Sequence, residues 1–122
     1  MPNPNEPAPY GIGSSHWPGV GKSTEEMGEL LLVLGKLQGS GGEVEHWSGN
    51  LAKMMADEIA DVTAVLAFLQ DHNSQIGAFE VYISARIAWK RDLFEAWHNN
   101  LPESEWPQPE AYGLPPREKS ND

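Results

Sequence analysis

The sequence predicts an all-α protein, an antiparallel helical bundle completed by homo-oligomerisation. Apolar residues recur at helical spacing in three successive stretches between residues 22 and 100, and strand-type alternation is absent. All ten prolines fall outside those residues. The chain of 122 residues has room for one domain. It divides into an extended N-terminal lead (1–21), an all-α domain (22–100) and a Pro-rich C-terminal tail (101–122). A core of about 80 residues buries a limited share of its surface, so further copies of the chain are a natural cover for apolar helix faces. A homodimer or homotetramer is expected.

The first helix is predicted over residues 23–38, with Ser23 or Thr24 as N-cap and Glu26 placed to close a capping box. Gly39-Ser40-Gly41-Gly42 ends it. Met27, Leu30, Leu31, Leu34 and Leu37 form its stripe, and Leu32 with Val33 makes it apolar nearly all round, which predicts burial from several sides. The second helix begins near residues 48–51 and runs to about His72, with Leu51, Ile59, Val62, Val65 and Leu69 on its stripe. The third, capped by Ser74, is predicted to reach Asn99 or Asn100 on a stripe of Ile76, Phe79, Ile83, Ile87 or Lys90, Phe94 and Trp97. Residues 107–116 have the composition of an extended tail.

Eighteen acidic residues against eight basic ones leave a net charge of −10, which disfavours a nucleic-acid polymer or an anionic membrane as partner. With no cysteine, disulfides, thiolate metal sites and cysteine nucleophiles are excluded. No apolar run approaches the roughly 18 residues that span a bilayer, and no basic-then-apolar leader is seen, so a cytoplasmic protein without membrane contact is expected.

The chemistry concentrates in two acidic motifs. Glu26 and Glu29 are three apart on the first helix, and Glu58 and Asp61 repeat that spacing on the second. On antiparallel helices these four carboxylates can converge, and four like charges so close repel unless cations neutralise them. Mg2+, a hard ion that prefers oxygen ligands, suits such a site, with Mn2+ as a substitute. The alternative for any pair of this kind is a solvated helix face. Here both motifs interrupt strongly apolar helices, which points to partial burial, and buried charge must be paired or metal-bound.

Arg86 and Lys90, at i, i+4 on the third helix, either hold phosphates beyond the metal or pair with acids such as Glu80 and reach solvent. Trp17 and Trp47, in segments near the ends of the acidic helices, are candidates to stack on a base. Gly19-Val20-Gly21-Lys22-Ser23-Thr24 has the ending of a phosphate-binding loop, but His16 stands where that loop needs glycine and no apolar strand precedes it. Glu43 with His46, and Glu95 with His98, have the spacing used by di-iron carboxylate bundles. Glu43, however, follows a Gly-rich run and so falls in a loop. A non-catalytic metal-binding bundle or a di-iron carboxylate bundle is the alternative to an enzyme of phosphate chemistry.

With these residues in place, the chain resembles the MazG-like, all-alpha NTP pyrophosphatase superfamily, whose signature is EExxE followed by ExxD on the next long helix. The matching residues are Glu25-Glu26-Met27-Gly28-Glu29 and Glu58-Ile59-Ala60-Asp61. The resemblance extends to Lys22 upstream and to Arg86-Ile87-Ala88-Trp89-Lys90 downstream, and is strongest to compact phage or bacterial members. It lacks the clear helix that longer members carry ahead of EExxE. The resemblance implies hydrolysis of a nucleoside triphosphate between the α and β phosphates, giving monophosphate and pyrophosphate. By motif position, Glu26, Glu29, Glu58 and Asp61 would be the metal ligands and Glu25 or Glu26 the general base. Lys22, Arg86, Lys90 and Trp47 would bind the substrate.

Overall fold

The computed structural model describes Ile12 and residues 17–117. The described residues fall into two compact units, divided between Gly77 and Ala78. Among the described residues, regular structure is helical apart from one two-stranded hairpin. No helix among them is long and apolar enough to cross a membrane.

In the first unit α1 spans Val20–Gly39 and therefore starts about one turn before the predicted cap. Its N-cap is Gly19, in the left-handed region at φ 92° and without a side-chain cap. The hydroxyls expected to cap the helix lie inside it. Ser23 Oγ donates to the Gly19 carbonyl at 2.7 Å and Thr24 Oγ1 to that of Val20 at 3.1 Å, so both turn back on the preceding turn. Glu26 is thereby free of any capping box. Glycine is needed at position 19 for its φ and for space, because a Cβ there would stand 2.9 Å from Phe68 Cδ1.

After the Gly-rich turn, β1 (Glu45–His46) and β2 (Gly49–Asn50) pair antiparallel, Glu45 opposite Asn50. Asn50 closes the hairpin and opens the next helix. Its Nδ2 donates to Glu45 Oε1 at 2.9 Å, while its Oδ1 accepts the Lys53 N–H at 2.9 Å as the N-cap of α2 (Leu51–His72). This helix has the predicted limits. It packs against α1, with Leu51, Val65 and Val33 buried. At its far end the buried Asn73 donates through Nδ2 to Leu69 O at 2.7 Å and Pro18 O at 2.9 Å, tying the exit of α2 to the entry of α1. The two helices therefore run antiparallel. Expected burial of α1 from several sides is not met among the described residues of this unit, where Leu31 is 68% and Leu32 66% exposed. One helix partner covers one face, and the remaining leucines are left outside.

The predicted third helix is broken. α3 (Ser74–Gly77) is a single turn, and α4 (Glu80–His98) begins after Phe79. Gly77 lies against the end of α2, where a Cβ would stand 3.2 Å from Gln70 O, and glycine is itself a weak helix former.

In the second unit α4 carries a folded tail. The helix ends in a Schellman arrangement with Asn100 at φ 56°, where Leu101 N–H bonds Ala96 O and Asn100 N–H bonds Trp97 O, both at 3.0 Å. Two 3-10 turns follow, Glu103–Glu105 and Pro109–Tyr112. Trp89 Nε1 donates to Pro107 O at 2.9 Å, Tyr112 OH to Asp92 Oδ2 at 2.5 Å, and Leu114 packs on Trp89 and Leu93. The segment read as an extended tail is thus the lid of a small core. It also sets which face of α4 is buried: Trp89, Leu93 and Ala96, whereas Phe79, Ile87 and Phe94 of the predicted stripe are more than half exposed.

Candidate metal and phosphate site

The acidic motifs meet between α1 and α2. Glu26, Glu58 and Asp61 each offer a carboxylate oxygen, and these oxygens all lie within 4.8 Å of one another; no other such group of acids or histidines is found among the described residues. Helical spacing explains the arrangement: Glu58 and Asp61 occupy neighbouring positions one turn apart on α2, and Glu26 approaches them from the antiparallel α1. Glu26 Oε2 and Glu58 Oε2 are buried and accept no hydrogen bond among the described residues. A buried carboxylate oxygen without a donor is costly, and the cost is relieved by a cation.

Lys22 closes one side of the cluster. Its Nζ lies 3.3 Å from Glu25 Oε2 and 3.5 Å from Glu26 Oε1, one turn of α1 away in each case. The hydrogen bond to Glu25 raises the ammonium pKa, burial opposes it, and the negative charges of Glu25 and Glu26 add to the rise. Glu26 is pushed the less usual way. Burial raises its carboxyl pKa above the ordinary value, the charges of Glu29 and Asp61 raise it further, and Lys22 only partly offsets them.

Beside the acids runs an open groove of about 370 Å³. Lys22, Glu26 and Asp61 form its polar end, and Ile12, Ala64, Val65 and Phe68 its apolar walls. Phe68 is stacked on His72 at 4.1 Å between ring centroids and abuts Gly19. The Gly19 N–H bonds to Ile12 O, which places Ile12 on the groove's rim.

No family profile, curated protein or solved structure matches the chain.

The site residues expected from sequence are distributed as follows. Glu26, Glu58 and Asp61 converge, and Lys22 joins them. Glu29, expected as a fourth ligand, is exposed and stands outside the close group, although its charge acts on Glu26. It lies a turn further along α1, with its side chain exposed. Glu25 is on the solvent side, its side chain 53% exposed and paired with Lys22. Trp47 is not brought to the acids. It is 89% exposed in the hairpin turn, with Lys36 Nζ 5.9 Å from its ring centre. Lys36 lies ten residues beyond Glu26, about 15 Å along α1, because the hairpin closes the opposite end of the helix pair. Arg86 and Lys90 belong to the second unit, where both cations sit over Trp89, at 5.2 and 4.9 Å from its ring centre.

The weaker motifs also find places. Gly19 is a helix cap and not part of a phosphate-binding loop; His16 lies outside the described residues. Glu43 is in the loop after α1, and His46 Nδ1 is engaged with Ser48 Oγ at 2.7 Å, so this pair lacks the helical platform of a di-iron site. Sequence reasoning missed Ile12, Ala64 and Phe68 as parts of the site. Asp61, Val65, Phe68 and His72 do share one helix face by their spacing, a signal that reads equally well as core stripe.

Proposed function

We propose that the chain is a Mg2+-dependent nucleoside triphosphate pyrophosphohydrolase of the MazG-like, all-alpha kind, which converts the triphosphate into monophosphate and pyrophosphate. The observation that carries this reading is the convergence of Glu26, Glu58 and Asp61, with two buried carboxylate oxygens that have no donor among the described residues. The donor set consists of hard oxygens, which fits Mg2+ and Mn2+ and does not favour softer metals. Glu26, Glu58 and Asp61 would hold the ion, with Glu29 adding negative charge nearby. When bound, the cation supplies neutralisation of phosphate charge and acidification of a water molecule.

The protein's own groups divide the remaining work. A water oxygen forms a bond to the α-phosphorus, the bond from that phosphorus to the α,β-bridging oxygen breaks, and pyrophosphate leaves. The water's proton passes to a carboxylate of the EExxE motif. Glu25 or Glu26 would accept it: Glu25 is not among the metal ligands, burial raises the proton affinity of Glu26, and both stand beside Lys22. Lys22 is placed to leave its carboxylates and meet the charge that develops on the departing oxygens. Exposed Met27, Leu31 and Leu32 on α1 support assembly into a homodimer or homotetramer, and the nucleotide substrate implies work in the cytoplasm.

The test is a panel of ribo-, deoxyribo- and modified nucleoside triphosphates with Mg2+, read by separate detection of pyrophosphate and orthophosphate. Pyrophosphate from at least one nucleotide, abolished by Glu58→Gln and by Asp61→Asn, is expected. Light scattering on the same preparation gives the oligomeric state.

A further inference from the structure

We infer that the groove beside the carboxylates seats the nucleoside part of the substrate and reads it by bulk, with Phe68 as the positioning residue at its far end. The inference rests on the phosphohydrolase reading for the identity of the ligand. Its physical basis is the polarity gradient along one face of α2. Asp61, Val65 and Phe68 stand at i, i+4 and i+7, so the face passes from a carboxylate to an aromatic ring over about 10 Å. That is comparable to the span of a nucleoside with its α-phosphate. A ligand whose charged end lies at Glu26, Asp61 and Lys22 therefore places its uncharged end between Ile12, Ala64, Val65 and Phe68. The volume of about 370 Å³ falls in the range of small-molecule sites.

Two features make Phe68 a fixed wall. Its ring is stacked on His72 with 24° between the planes, and its Cδ1 edge is packed against the Gly19 backbone. His72 takes one face of the ring, which leaves a base the other face or an edge to meet. Ile12, Ala64, Val65 and Phe68 have no side-chain donor or acceptor, so this end of the groove cannot match the hydrogen-bonding edge of a base. An apolar wall separates ligands by size to the extent of about 10–200-fold per methylene-sized change, and separates isosteres poorly. Uracil and cytosine nucleotides, which differ in hydrogen-bonding pattern at nearly equal size, should therefore be treated alike.

The experiment compares uridine and cytidine triphosphates, and their non-hydrolysable α,β-methylene analogues by calorimetry with Mg2+, on wild type, Phe68→Ala and Ala64→Phe. Ala64 is exposed, so the larger side chain fills the groove without entering the core. Melting curves establish that each variant is folded. Expected are a ratio between the two bases within tenfold, and a rise of tenfold or more in KM and in analogue Kd for both variants, with kcat within threefold. Phe68→Leu should recover most of the loss. Discrimination of a hundredfold or more between the two bases, or binding unchanged in Ala64→Phe, overturns the inference. Wild type that binds the analogues through the groove and hydrolyses no nucleotide would instead overturn the reaction and leave the groove assignment standing. Wild type that binds neither analogue overturns the groove assignment.

Discussion

Lys22 Nζ stands 3.5 Å from Glu26 Oε1, while the other oxygen of the same carboxylate, Glu26 Oε2, is buried without a donor among the described residues. One side of Glu26 is thus neutralised by the chain itself and the other is left to an external cation. On the proposed function, Lys22 would act as a resident counter-ion that competes with the metal before substrate arrives and with water for the substrate's phosphates afterwards. Lys22→Met is expected to tighten Mn2+ binding by about tenfold, since a like charge has been removed from the ion's surroundings, and to raise KM for nucleotide by at least tenfold. Electron paramagnetic resonance titration of Mn2+ reads the first effect without turnover. Looser Mn2+ binding in the variant would show that Lys22 supports the ion site instead of opposing it.

Glu58 presents the converse case. On the proposed function, its buried Oε2 would contribute repulsion in the metal-free protein and a ligand in the metal-bound one. Glu58→Gln should therefore raise the melting temperature of metal-free protein by about 2–5 °C and abolish the further rise that Mg2+ gives wild type. Calorimetric scans with and without Mg2+ check both halves, and a lower melting temperature for the metal-free variant contradicts the account.

The raised carboxyl pKa of Glu26 sets a pH dependence whose sign is fixed. Because the folded chain holds this proton to higher pH than the unfolded chain, it binds more protons between the ordinary value of 4.5 and the raised one. Stability of the metal-free protein falls as pH rises through that interval and levels off above it. Glu26→Gln should lack this component, and Mg2+ should reduce it by competing for the same oxygens. Denaturant melts from pH 4 to 8 give the comparison.

Legibility in the sequence followed the range of the interactions. The limits of α2 and the pairing of Glu58 with Asp61 depend on neighbours one turn away, so spacing alone revealed them. The start of α1 was hidden because Gly19 is dictated by Phe68 on the other helix, while the local Ser23-Thr24 pair imitates a cap. Trp47 was correctly placed in a connection, but spacing does not say which end of the helix pair that connection closes. The tail was hardest to read. Its prolines suggest an extended chain, and only the partnership of Trp89 with Pro107 and of Tyr112 with Asp92 reveals why it folds back. The break in the third helix escaped the stripe from Ile76 to Trp97, because it is set by the approach of Gly77 to Gln70 O at the end of α2.

The second unit offers a prediction independent of chemistry. Leu93 is fully buried beneath Trp89 and Leu114, and Leu93→Ala should cost about 2–5 kcal/mol. Tyr112→Phe removes the bond to Asp92. That bond raises the phenol pKa above its ordinary 10.0, so its stabilisation is present below pH 10 and is lost as pH rises through the raised value. Wild type and Tyr112→Phe should therefore differ in stability at neutral pH and converge in strong alkali, as followed by tryptophan fluorescence of Trp89 and Trp106.

The central claim is that the carboxylates of α1 and α2 serve attack of water at the α-phosphorus. Phosphorus NMR of a nucleoside triphosphate turned over with Mg2+ in heavy-oxygen water tests it most directly. The account predicts pyrophosphate and monophosphate as products, with the heavy oxygen on the monophosphate, and no turnover by Asp61→Asn. Orthophosphate as the first product, heavy oxygen on pyrophosphate, or no turnover of any nucleotide in the panel would contradict it.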